Sequence, residues 1–143
     1  MRSELVTFLA TSTLTFSGLA GTLWVDGSLD SYAGHDGSSR AKALETIQEA
    51  VDAAQEGDTI LVAPGVYAKG GRVDSVDNTI SNRVTIGKSL TLKSQKGASS
   101  TVIKGAFDTS SATKCGAASM RCIGITSDKA EVVIEGFTMT GGS

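Results

Sequence analysis

The chain holds one histidine, His35, in a stretch rich in turn formers that also carries Asp30 and Asp36. A serine–histidine–aspartate triad is defined by geometry, and no Gly-x-Ser-x-Gly context supports one here. His35 therefore reads as a loop residue. Asp26, Asp30 and Asp36 form one acidic group; Asp74, Asp77 and Asn78 form a second. Calcium takes several oxygen ligands of this kind, which makes it the candidate cofactor. The spacing does not match an EF-hand, and Asp and Asn at such positions ordinarily bond their own turns. Lys88, Lys93, Lys104 and Arg121 are basic residues that lie near apolar segments. No catalytic motif surrounds them, and long basic side chains commonly lay their stems along apolar surface. No catalytic, cofactor-binding or metal-binding residue is assigned from the sequence.

Two thiols complete the reactive inventory. Cys115 and Cys122 are close in sequence. A disulfide closing the loop between them and a free thiol at the start of an apolar strand are both open readings. Two cysteines and one distant histidine make no zinc signature. Phosphate-loop and dinucleotide glycine patterns are absent.

The elements that must position these groups are short. Leu44, Ile47, Val51 and Ala54 recur at steps of three and four, so a helix is expected over about Ala41 to Gln55, with Gly57 as its stop. Beyond Asp58 the period changes. Strands are expected at Thr59–Ala63, Val66–Tyr67, Val84–Ile86, Leu90–Leu92, Thr101–Ile103, Cys122–Ile125, Val132–Ile134 and Phe137–Met139, after an earlier one near Trp24–Val25. Polar loops are expected at Lys69–Ser81 and Gly105–Met120. Asn-Gly and Asp-Gly hairpin signals are missing from the strand region, which disfavours an antiparallel sandwich. Apolar triplets after polar corners, as in Leu90–Leu92 and Val132–Ile134, make a degenerate internal repeat. Asp58 reads as a turn residue.

Thr46–Ala54, Gly57-Asp58-Thr59-Ile60 and Pro64-Gly65-Val66-Tyr67, followed by Lys88–Leu92, Thr101–Gly105 and Ile134–Thr138, resemble the opening of right-handed parallel β-helix proteins of the pectate lyase-like superfamily. The resemblance implies an all-β fold, a right-handed parallel β-helix (solenoid) with an N-terminal capping α-helix. Residues 21–143 would hold the cap and first coils. Leu44, Ile47 and Val51 would cover the first coil beside Ile60 and Val62. The resemblance further implies action on extracellular polysaccharide, by acidic residues with calcium, by a basic residue or by clustered aspartates. The alternative class is a non-catalytic surface adhesin or structural protein.

Composition agrees with a folded, turn-rich chain. The 143 residues are 40% hydrophobic and 20% charged, and 17 glycines stand beside a single proline. A formal net charge of -2 and few aromatics give no attraction to nucleic acid. No apolar run is long enough for a membrane span. Residues 1–20 are a candidate signal peptide: Arg2 precedes a stretch with Leu5, Val6, Phe8, Leu9, Leu14, Phe16 and Leu19, and Gly18 and Ala20 fit cleavage before Gly21. Export to the cell surface or medium is the expected location. The strand-rich end, Val132–Gly142, has nothing to cover its edge, which points to the opening part of a longer protein, or else to self-association through that edge.

Overall fold

The computed structural model describes residues 18–30, 33–74 and 79–142. Most of the candidate signal peptide, together with Asp77 and Asn78, lies outside the described residues. The chain runs β1 (Thr22–Val25), a 3-10 turn (Arg40–Lys42), α1 (Ile47–Ala53), β2 (Thr59–Val62), β3 (Gly65–Tyr67), β4 (Arg72–Val73), β5 (Ser81–Ile86), β6 (Leu90–Ser94), β7 (Thr101–Lys104), β8 (Arg121–Ile125), β9 (Val132–Glu135) and β10 (Thr138–Thr140).

These strands form three sheets, in the orders β1-β2-β6-β9, β10-β7-β3 and β4-β5-β8. All pairings are parallel except β4 with β5, which is antiparallel. The register aligns apolar residues across each sheet. Leu23, Ile60, Leu92 and Ile134 share one row, and Tyr67, Ile103 and Met139 share another. Val84 stands beside Ile123, and Ile86 beside Ile125. Because side chains alternate faces along a strand, a fixed register keeps each apolar row on one side. Ile60, Val62, Ile86, Leu92 and Ile103 are completely buried where these rows meet.

The expected class is corrected by this architecture. In place of an all-β right-handed solenoid with a capping helix, the described residues form a mixed α/β domain with parallel and mixed sheets and one short helix. The helix is part of the core: Ile47, Ala50, Val51 and the following Ala54 are buried in the same cluster as the strand residues. An antiparallel pair is also present: β4 lies within what the sequence presents as one polar loop and pairs with the first residues of β5. Its two strands flank residues 74–80, too long a connection to carry a two-residue hairpin signal.

The helix is shorter than its periodicity predicts, for a local reason. Thr46 caps it: its hydroxyl accepts the Glu49 amide at 3.2 Å, and the Glu49 carboxylate accepts the Thr46 amide at 2.9 Å. This reciprocal pair fixes the first turn at Ile47. Leu44 lies upstream and is extended. It bridges to Val25, and its amide donates to the Trp24 carbonyl at 2.9 Å. The amides of Asp26 and Trp24 donate to the carbonyls of Leu44 and Gly37, each at 2.9 Å. The outer edge of β1 is thereby closed.

Asp58 closes the other end of the helical segment. Its carboxylate accepts the Gly21 amide at 2.6 Å and the Gln55 amide at 2.8 Å, and the residue is buried. Gly57, at φ 84°, supplies the left-handed turn that brings Asp58 round. Tyr67, the last residue of β3, ties the corner between β2 and β3 to the turn after β1: its hydroxyl donates to the Ala63 carbonyl at 2.8 Å and accepts the Gly27 amide at 3.4 Å. Burial pushes this phenol up to about 12.

Candidate functional site

The acidic groups singled out in the sequence do not converge. Asp26 accepts the amide and hydroxyl of Ser28, at 3.0 and 2.6 Å. Asp36 does the same with Ser38, at 2.9 and 2.6 Å. The Ser38 hydroxyl and amide hold the Asp36 carboxyl below its ordinary value. Asp30 is exposed, and Asp74 accepts the Asn82 side-chain amide at 3.3 Å. Among the described residues no three His, Cys, Asp or Glu side chains are grouped to hold a metal ion. His35 is half-buried in the loop before the 3-10 turn.

The basic residues divide by what they touch. The Lys88 ammonium donates to the Ala54 carbonyl at 2.7 Å, at the C-terminal end of α1, where a cation is favoured. Lys93 pairs with Glu135 at 3.0 Å on the exposed face of the first sheet. Lys104 is exposed at the end of β7. Arg121, exposed at the start of β8, pairs with no carboxylate among the described residues. It stands in the wall of a cleft.

That cleft has a volume of about 640 Å³ and lies between the β4–β5 pair and the loop from Gly105 to Met120. Ser81, Ser119 and Thr79 bring hydroxyls to its lining, Cys115 brings a thiol, and Val73 and Ile80 bring apolar surface. The volume is within the roughly 300–1,000 Å³ usual for ligand sites. Both cysteines are free thiols: Cys115 is exposed, and Cys122 is half-buried with its sulfur 3.3 Å from the Thr140 carbonyl oxygen.

Asp108 builds the loop side of the cleft, and sequence reasoning missed it. Its carboxylate accepts the Ser110 hydroxyl at 2.5 Å, the Ser110 amide at 2.9 Å and the Ala118 amide at 3.2 Å. These bonds, the Ser110 hydroxyl first, hold its pKa below the ordinary 3.8. The signal was present in the sequence. Asp26-x-Ser28, Asp36-x-Ser38 and Asp108-x-Ser110 are the same three-residue pattern, and in each the carboxylate accepts both the amide and the hydroxyl of the serine. Ser119 is fixed in turn, donating from its hydroxyl to the Gly116 carbonyl at 2.7 Å.

The loop is also held at its base. The Ala106 and Met120 backbones exchange two hydrogen bonds of 2.8 Å. Gly105 is buried where a Cβ would collide with the Met120 carbonyl oxygen and come within 2.8 Å of the Gly142 backbone. Only glycine admits that approach. The cleft therefore has a positioned loop on one side and a strand pair on the other, with the Arg121 guanidinium, which pairs with no carboxylate among the described residues, in a lining that also holds hydroxyls. Such a lining can donate hydrogen bonds from the Arg121 guanidinium and accept them at the Ser119 oxygen, and a guanidinium favours acceptors that carry negative charge.

No family model, curated protein or solved structure matches the chain. The functional reading therefore rests on the residues and their geometry.

Proposed function

We propose that this chain belongs to an exported protein and binds extracellular polysaccharide in the cleft between the β4–β5 pair and the 105–120 loop. The observation that carries the reading is Arg121, a guanidinium without a carboxylate partner among the described residues, set in a cleft that also offers the hydroxyls of Ser81 and Ser119. Sugar chains present many hydroxyl oxygens, and acidic ones add carboxylates or sulfates. Paired donors and acceptors at a fixed spacing recognise both. Val73 and Ile80 supply the apolar patches against which the C–H faces of a sugar ring can pack.

The test is titration calorimetry of the chain with soluble neutral and acidic polysaccharides, repeated with Arg121→Gln. The expected result is saturable binding, weakened roughly 10- to 100-fold by the substitution, as for loss of a charged hydrogen bond. Absence of binding to every glycan would overturn the reading. Binding left intact by Arg121→Gln would remove the cleft from it.

A further inference from the structure

The 105–120 loop carries one residue that its backbone does not favour. Lys114 has φ 61°, and every other positive φ among the described residues belongs to glycine. In that left-handed region a side chain crowds its own backbone, so glycine is the residue such a turn ordinarily takes. The turn is fixed from both sides. The Lys114 amide donates to the Ser111 carbonyl at 3.0 Å, and the Lys114 carbonyl accepts the Asp108 amide at 3.0 Å. Asp108 is itself held by Ser110 and Ala118, so the loop imposes this conformation on the lysine.

What the side chain gains locally is small. Its ammonium lies 5.9 Å from the centroid of the Phe107 ring, and Phe107 is 48% exposed. A cation over a ring that open to water gains no more than the left-handed backbone costs. Among the described residues Lys114 pairs with no carboxylate. An exposed lysine is ordinary; one at a position that suits glycine is not. The charge is also well placed to act. Cys115 and Gly116, the next two residues, line the cleft that holds Arg121, so Lys114 stands at its rim on the loop side. Lys114 is exposed, and an ammonium with one side on a ring keeps N–H donors for a ligand.

We propose, on the reading of the cleft as a polysaccharide site, that Lys114 is its second cation and gives it a preference for acidic sugar chains. Arg121 in the lining takes one anionic substituent, a carboxylate or a sulfate. The Lys114 ammonium takes another, carried by a neighbouring sugar. A planar guanidinium in the wall and an ammonium on a flexible stem at the rim suit a polymer whose charges repeat along its length. A neutral chain meets the same hydroxyls and gains nothing from the second cation.

Titration calorimetry of the whole chain with a polyuronate, a sulfated polysaccharide and a neutral polysaccharide tests this, with Lys114→Gly and Lys114→Arg beside the wild type. Lys114→Gly should melt at or above the wild-type temperature, because it relieves the backbone. It should also lower affinity for an acidic chain about 3- to 10-fold more than affinity for the neutral one. That difference should shrink as salt is raised, since exposed charges are screened. Lys114→Arg, which keeps the charge, should retain the preference. A loss confined to the polyuronate or to the sulfated chain would support the assignment and identify the anionic group. Acidic binding untouched by Lys114→Gly, or lost equally in Lys114→Arg, would overturn it and leave the cleft reading standing. A lower melting temperature with all three affinities reduced together would make Lys114 a support of the loop, and would overturn it too. A wild-type chain that binds none of the three would overturn the cleft reading and the role of Lys114 with it.

Discussion

The side-chain amide of Gln48 is paired with both backbone groups of Thr85. Its oxygen accepts the Thr85 amide at 2.7 Å, and its nitrogen donates to the Thr85 carbonyl at 3.3 Å. A helix residue thus supplies the hydrogen bonds that a neighbouring strand would give to β5. The nitrogen also donates to Asp52 one turn on, at 3.0 Å, which fixes the orientation of the amide.

Gln48→Leu should destabilise the fold by about 1–3 kcal/mol, since it leaves buried backbone groups of Thr85 without partners. Urea denaturation measures this. A midpoint equal to the wild type would show that the pair contributes nothing net.

Ile47 adjoins Gln48 and is 2% exposed. Ile47→Asp should cost at least about 2–5 kcal/mol, the range for emptying such a site, and should unfold the helix and the strands it covers. Circular dichroism during heating reports it. An unchanged melting curve would mean that α1 does not support the core.

The loop beside the cleft should respond to acid. The hydrogen bonds of Asp108 lower its folded pKa below 3.8. Its contribution is therefore complete above that ordinary value and is lost as pH falls through the lowered one. Asp108→Asn should remove this acid response and speed proteolytic cleavage between Gly105 and Met120 at neutral pH, with melting of the core little changed. Limited proteolysis followed by mass spectrometry would decide, and equal cleavage rates in variant and wild type would count against Asp108 as the loop's anchor.

Gly105→Ala should be more damaging than its size suggests, because the added methyl meets backbone on two sides. Loss of cooperative thermal unfolding is expected. Wild-type melting of this variant would show that the loop base shifts without cost.

Most strands were legible because an apolar triplet between polar corners has few alternatives to a short buried strand. The triplets at Leu90–Leu92 and Val132–Ile134 lie inside β6 and β9. The start of the helix was not legible from periodicity. Leu44 matches the helical step, yet its backbone is drawn into pairing with Trp24, and Thr46 caps the helix behind it. The fold class failed on the same interaction at a larger scale: whether a helix merely covers a sheet or enters its core depends on contacts between distant residues such as Gln48 and Thr85. The cleft was illegible for a related reason. Arg121 stood out as a basic residue near a strand, but its place in one cleft lining with Ser81 arises only when the 105–120 loop folds beside β5. Asp108 is the exception, since its Asp-x-Ser turn was open to reading.

Every parallel pairing joins residues roughly 30 to 40 positions apart, so chain must be looped before any two strands can meet. The capped helix, the 37–44 segment against β1, the β4–β5 pair and the 105–120 loop form from nearer neighbours. Refolding should consequently begin in these local units and complete the parallel sheets afterwards, on the slow, millisecond-to-second side of small-domain kinetics. The order in which the polypeptide leaves the ribosome is then the order in which its sheets can be completed.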